Sequence, residues 1–144
     1  MMEHTLNLDR LAAEKAQKMV EQAAAGISGV KKPVETLERL VTKALGVLQA
    51  QGVYAMMLFL FSRSSDEQKV APVIRQQLHE ALKMLPVFQE EQHIPEGQAN
   101  FRDMLGFYAS DKVLGDLDTL LLVRDLYEQT LIYARYGAKA AKGE

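Results

Sequence analysis

The stretch from Val53 to Phe61 constrains the fold most, because every residue in it is apolar or aromatic. A segment without a polar face has to be buried on all sides. It is too short for a membrane span, which takes roughly 20 apolar residues. A buried strand is compatible with such a run, but the flanking segments are helical in pattern, and Met56, Met57 and Leu58 are good helix formers. We therefore predict a central helix.

The flanking segments supply the helices that would pack around this centre. Their apolar residues recur at spacings of three and four, which places them on one face of a helix. The predicted helices run from about Leu8 to Ala25, Pro33 to Gln49, Glu67 to Leu85, Asn100 to Tyr108 and Asp116 to Ala141. We predict an all-α fold for residues 1–144, a single domain built as a compact bundle of about five or six helices around Val53–Phe61.

Polar residues at the predicted helix starts indicate caps, since their side-chain oxygens accept hydrogen bonds from the first-turn N–H groups. The candidates are Asn7 or Asp9, Ser65 or Asp66, Asn100, and Asp116 or Asp118. Proline lacks an N–H group, so Pro72 fits the fourth helix only close to the start of that helix.

The composition excludes several classes of protein. The 144 residues carry a formal net charge of −2, so any contact with nucleic acid has to come from a local basic patch. The absence of cysteine excludes disulfides, thiolate metal sites and a cysteine nucleophile. The N-terminus lacks the apolar core of a signal peptide, so we expect a cytoplasmic location.

No motif in the sequence points to catalysis. There is no phosphate-binding loop of the Gly-x-x-x-x-Gly-Lys-Ser/Thr type and no Gly-x-Ser-x-Gly elbow. Glu90 and His93 have the Glu-x-x-His spacing of di-iron bundles, but such sites need the motif twice. Neither His4 nor His79 has a glutamate three residues before it. We therefore predict that the protein is not an enzyme and has no cofactor or metal; bound iron, manganese or zinc would revive the alternative of a helical metalloprotein.

The C-terminal segment is the one informative electrostatic feature. From Gln129 to Gly143 it contains three basic residues and no acid. Arg135, Lys139 and Lys142 stand at i, i+4 and i+7 and therefore share one helix face. Cations also stabilise a helix C-terminus through the macrodipole. The stripe is thus compatible with helix stabilisation and with contacts to phosphate groups.

Three blocks of the sequence resemble the small α-helical subunit of type III-B, or Cmr-type, CRISPR effector complexes. They are Leu8–Val20, Gln51–Leu60 and Leu131–Ala140. The second block matches the family at Gly52, Phe59 and Leu60, and the third shares its aromatic residue followed by basic residues and Ala-Lys-Ala. Gln51 and Tyr133 depart from the family, which usually has Asn and Trp there. The small subunit of type III-A complexes therefore stays an alternative.

The resemblance implies a non-catalytic subunit that works in antiviral defence. Family members stack along the effector filament, contact copies of themselves and other Cmr-type subunits, and flank the guide RNA–target RNA duplex. The implied RNA-binding residues are Arg135 and Lys139, followed by Lys142, Lys15 and Lys18. For Lys18 taken alone, a solvated helix surface is the preferred interpretation. No membrane contact is expected, and a helical protein–protein adaptor without RNA binding is a further alternative.

Overall fold

The structure is a computed structural model that describes residues 6–91 and 93–143. In these ranges it contains six α-helices and no strand, so the predicted all-α bundle is confirmed. The helices are α1 (Leu8–Ala24), α2 (Pro33–Gln51), α3 (Val53–Phe61), α4 (Ser65–Lys83), α5 (Phe101–Ala109) and α6 (Leu117–Lys142). A 3₁₀ turn, Pro86–Phe88, lies between α4 and α5. No helix of the described ranges has the length and apolar character needed to cross a membrane.

Three helices begin at a cap that the sequence predicts. Asn7 Oδ1 accepts a hydrogen bond from the Arg10 N–H at 3.0 Å at the start of α1. The corresponding distance from Asn100 Oδ1 is 2.8 Å at α5, and that from Asp116 Oδ1 is 3.1 Å at α6. Each side chain satisfies an N–H group that has no partner within its helix.

Helix α4 differs from its prediction. It begins at Ser65 and continues through Pro72, so the expectation that this proline lies close to the helix start was wrong. The N-cap is Ser64, whose side chain makes no capping hydrogen bond, instead of Ser65 or Asp66. Pro72 removes one backbone hydrogen bond from the helix interior. The helix persists because apolar residues on both sides of the proline, Val70 and Ile74 among them, are fully buried.

Helix α3 has the predicted bounds, but it is not buried on all sides. Val53, Met56 and Leu60 lie in the core, whereas the Leu58 side of the helix faces solvent and that residue is 42% exposed. The neighbours α2, α4, α5 and, to a smaller extent, α6 cover only part of its circumference. The most extensive helix contacts are those of α6 with α1 and with α2. The bundle is therefore built around the α1–α6–α2 layer as much as around α3.

Two arginines close the C-terminal end of α3. Arg63 Nε donates to the Phe59 carbonyl oxygen at 3.1 Å, and Arg75 Nη1 donates to the Leu60 carbonyl oxygen at 3.3 Å. The Arg63 guanidinium also lies 3.8 Å from the centroid of the Phe59 ring. Cations satisfy the unpaired carbonyls of a helix C-terminus. Arg63 is thus held in one position at the turn between α3 and α4.

Helix α6 has α1 on one flank and α2 on the other. A Cβ atom added at Gly137 would lie 3.1 Å from Cγ2 of Val20, so this glycine allows α1 to approach closely. On the opposite flank, Gln49 Nε2 of α2 donates to Glu128 Oε2 of α6 at 3.0 Å. The flank that faces α2 is also the one that carries the basic stripe.

Candidate nucleic-acid interface

The predicted basic stripe of α6 faces a carboxylate of α2. Lys142 Nζ lies 2.6 Å from Glu38 Oε1, and Lys139 Nζ lies 4.0 Å from Glu38 Oε2. The hydrogen bond from Lys142 is the main reason that the pKa of Glu38 lies below its usual range, and the charges of Lys139 and Arg135 act in the same direction. One carboxylate therefore faces three cations.

The members of this stripe are engaged to different degrees. Lys142 makes a close ion pair that joins α6 to α2, and the bond to Glu38 raises the pKa of its ammonium group. Lys139 is at the limit of ion-pair distance and its side chain is 54% exposed. Arg135 is exposed one helical turn earlier on the same flank. Arg135 and Lys139 are thus the members most open to an external anion.

Lys15 and Lys18 lie on another part of the surface. Burial lowers the pKa of Lys15, the charge of Lys18 lowers it further, and Glu80 of α4 raises it. These neighbours place the two lysines on the flank of α1 that faces α4, away from the flank of α1 that packs on α6. Within the described residues, no ion pair or hydrogen bond connects them to the α6 stripe. The structure therefore separates the five predicted residues into two groups.

A second basic cluster was not predicted as a site. Glu67, in the first turn of α4, forms ion pairs with three cations. Its carboxylate oxygens lie 2.8 Å from Lys43 Nζ, 3.2 Å from Arg39 Nε and 3.5 Å from Arg63 Nη1. The Glu67 side chain is only 12% exposed, and burial by itself would raise its pKa. The hydrogen bonds from Lys43 and Arg39 outweigh burial, so the pKa of Glu67 is lowered.

Part of this cluster had a signal in the sequence. Arg39 and Lys43 stand at i, i+4 on the side of α2 away from its apolar stripe, which indicates a shared exposed face. Arg63 and Glu67 come from the α3–α4 turn and from α4. These residues reach Arg39 and Lys43 only because α2, α3 and α4 pack together. The spacing of residues along one helix does not reveal that packing.

The two clusters adjoin across α2. A depression of about 440 Å³ is lined by Glu35, Glu38, Arg39, Thr42, Lys43 and Lys142. A second depression of about 570 Å³ is lined by Arg39, Lys43, Arg63, Ser64, Ser65, Asp66 and Glu67. Arg39 and Lys43 line both depressions, so the surface is continuous.

We call this surface the basic face. Its cations are Arg39, Lys43, Arg63, Arg135, Lys139 and Lys142. Its carboxylates are Glu35, Glu38, Asp66 and Glu67. The two depressions are lined by four of these cations and by all four carboxylates. Arg135 and Lys139, which act on Glu38 from α6, bring the cations to six, so the face as defined has a positive excess although the whole chain has a net charge of −2.

The core holds a separate group of ionisable side chains. His79 Nε2 lies 2.6 Å from the Pro95 carbonyl oxygen, and His79 Nδ1 lies 3.1 Å from the Tyr108 hydroxyl. The Tyr108 hydroxyl is also hydrogen-bonded to the Tyr127 hydroxyl. A carbonyl only accepts, so Nε2 carries the proton, Tyr108 donates to Nδ1, and Tyr127 donates to Tyr108. We call this set the His79 chain.

The His79 chain stabilises the fold instead of presenting a reactive group. Burial lowers the pKa of His79 and raises the pKa values of Tyr108 and Tyr127. Both ring nitrogens and both hydroxyls find partners inside the protein. The chain joins α4, α5, α6 and the segment around Pro95.

The remaining candidate ligands do not gather at one place. Glu91 is paired with Lys112 at 3.0 Å, and its Oε1 accepts from the His93 backbone N–H at 3.3 Å. In residues 6–91 and 93–143, no three histidine, aspartate or glutamate side chains are grouped so that they could hold a metal ion. His4 lies outside the described residues.

Comparison with known proteins yields no match among protein-family models, curated proteins or solved structures.

Proposed function

We propose that this protein is a non-catalytic small subunit of a type III-B (Cmr) RNA-guided effector complex, and that its basic face lies against the guide RNA–target RNA duplex. The observation that carries the proposal is the basic face itself, where six cations of α2, α6 and the α3–α4 turn, with Arg135 and Lys139 counted from α6, lie beside four carboxylates. Arg135 and Lys139, the residues implied by the sequence resemblance, belong to this face. Lys15 and Lys18 stay a separate prediction on the α1–α4 flank.

The chemistry of the face suits the RNA backbone. Arginine and lysine donate to phosphate oxygens, and such contacts position a nucleic acid without reading its sequence. A subunit that supports many different guides needs contacts of this kind. Counterions are released when cations neutralise phosphates, so the affinity should fall steeply as salt is added.

Exposed apolar side chains support the proposed contacts with neighbouring subunits. Leu114, just before α6, is 42% exposed, and Leu117 and Leu121, in the first turns of α6, are 68% and 50% exposed. They lie at the opposite end of α6 from Lys139 and Lys142, so protein contacts there leave the basic face open. These contacts would be with copies of the chain and with other Cmr-type subunits.

The test combines RNA binding with reconstitution. Fluorescence anisotropy of a labelled RNA duplex, titrated with the purified protein over a range of salt, should show binding that weakens as salt rises. The protein should also join a reconstituted Cmr-type complex and increase its loading of target RNA.

Other outcomes separate the alternatives. Docking on the complex without any RNA affinity at low salt would contradict the RNA-facing role and favour a protein–protein adaptor. Assembly with type III-A subunits in place of Cmr-type subunits would contradict the subtype.

A further inference from the structure

We infer that Arg39, Lys43 and Arg63, gathered around Glu67, form a second phosphate-binding site for RNA. The RNA backbone would then cross α2, from the α6 stripe to the α3–α4 turn, instead of following α6 alone. The inference rests on the proposed function, because it names a further contact of the same RNA. It deepens that function, which requires RNA contacts of the α6 stripe alone, by assigning direct phosphate contacts to residues that the sequence resemblance does not indicate.

Arg63 is already fixed in the position that such a site needs. Its Nε donates to the Phe59 carbonyl oxygen, its guanidinium covers the Phe59 ring, and Nη2 lies 3.2 Å from the Ser62 hydroxyl. The side chain is only a quarter exposed. A cation held in this way loses little conformational entropy when it binds an anion.

Arg39 and Lys43 supply donors that Glu67 does not use. Each contacts Glu67 Oε2 through one nitrogen, and about half of each side chain is exposed. A guanidinium has five N–H donors and an ammonium has three. Both residues line the two depressions, so an anion in either depression would lie beside them.

The charges and hydroxyls of the cluster match a phosphodiester. The depression is lined by three cations, by the carboxylates of Asp66 and Glu67, and by Ser64 and Ser65, whose side chains carry hydroxyl groups. A phosphodiester offers only acceptors and one negative charge. Because Arg39 and Lys43 also adjoin the depression that contains Lys142, successive phosphates of one strand can reach both clusters.

The first test is the variant Arg39→Gln/Lys43→Gln in the full chain, measured with an RNA duplex over a range of salt. The slope of log affinity against log salt should become shallower by about two, since each lost phosphate contact removes about one. The matched control is Arg10→Gln/Lys112→Gln, which removes the same charge from ion pairs with Glu14 and Glu91 outside the basic face. The control should keep the wild-type slope.

The second test changes affinity in the opposite direction and removes no cation. Glu67→Gln takes away the negative charge that competes with phosphate, so the affinity at low salt should rise about fivefold. Unchanged or weaker binding by this variant would overturn the inference.

A wild-type slope in Arg39→Gln/Lys43→Gln, together with a reduced slope in Arg135→Gln/Lys139→Gln, would overturn the second site and leave the RNA-facing role intact. An absence of RNA affinity in the wild-type protein would overturn the proposed function and the inference with it.

Discussion

The basic face and the His79 chain differ in how completely their polar groups are paired within the protein. In the His79 chain, both ring nitrogens and both tyrosine hydroxyls have partners inside the core. On the basic face, Glu38 and Glu67 are each surrounded by three cations. The first arrangement is complete without a ligand, and the second has donors and positive charge left over.

The difference indicates which polar groups stabilise the fold and which are available for binding. A buried group that loses its partner costs free energy, so complete pairing is a requirement of the core. Half-exposed cations such as Arg39 and Lys139 remain hydrated, so they do not need an equal number of carboxylate partners. Substitutions in the His79 chain should therefore change stability, and those on the basic face should change RNA affinity.

The largest expected effect is that of charge reversal on the basic face. Arg135→Glu/Lys139→Glu should lower RNA affinity at low salt by about a hundredfold or more, because two attractive contacts become repulsive. Anisotropy with an RNA duplex measures the affinity, and circular dichroism checks that the helices are retained. A folded variant with unchanged affinity and salt slope would show that these residues do not face RNA.

The next largest effect is a difference in the free energy of unfolding between two tyrosine variants. Tyr108→Phe should lower the free energy of unfolding by about 2 kcal/mol, because its hydroxyl serves both His79 and Tyr127. Tyr127→Phe should cost less, about 1 kcal/mol, since Tyr108 can still donate to His79. Urea unfolding measures both values. An equal or larger loss for Tyr127→Phe would contradict the donor order assigned to the chain.

A smaller effect is expected from the titration of His79. Burial lowers its pKa in the folded state, and the neighbouring charges are Lys83, Glu80 and Glu96. The unfolded chain, with a histidine pKa of about 6.5, therefore binds the proton first as the pH falls. This histidine's contribution is fully present above about pH 6.5 and should decline as the pH drops below that value.

Urea unfolding at several pH values from about 7.5 to 5.5 measures this decline. His79→Gln should remove the part of the slope due to this residue, and the matched variant His93→Gln, at an exposed position, should retain it. Equal slopes in the wild-type protein and His79→Gln would contradict the assignment.

The smallest effect on the free energy of unfolding is expected from removing an exposed cation that has a single exposed carboxylate partner. Arg10 and Glu14 form a 3.1 Å pair on α1 with both side chains more than half exposed. Arg10→Gln should change the free energy of unfolding by less than about 0.5 kcal/mol and leave the RNA salt slope unchanged. A change in the slope would show that binding follows total charge and not the basic face.

Much of the fold was predictable from local patterns. Apolar spacing gives the helices, and Asn7, Asn100 and Asp116 mark three of their starts. The path of α4 through Pro72 was not predictable, because tertiary burial offsets the lost hydrogen bond. The exposure of Leu58 was missed because apolarity does not reveal how many neighbours surround a helix.

The site was predictable only in part, for a related reason. Helical spacing places Arg135, Lys139 and Lys142 on one face, as the structure has them. The packing of α2 on α6 decides that this face meets Glu38, and the packing of α4 on α2 decides that Glu67 meets Arg39 and Lys43. Contacts between distant segments of this kind leave no spacing signal in the chain.

An NMR titration of isotope-labelled protein with an RNA duplex at low salt would locate the RNA-binding surface residue by residue. Chemical-shift changes should be concentrated on α2 around Arg39 and Lys43, on the α3–α4 turn at Arg63, and on α6 from Arg135 to Lys142. Shift changes centred on Lys15 and Lys18, or no changes at all, would contradict the claim that the basic face binds RNA.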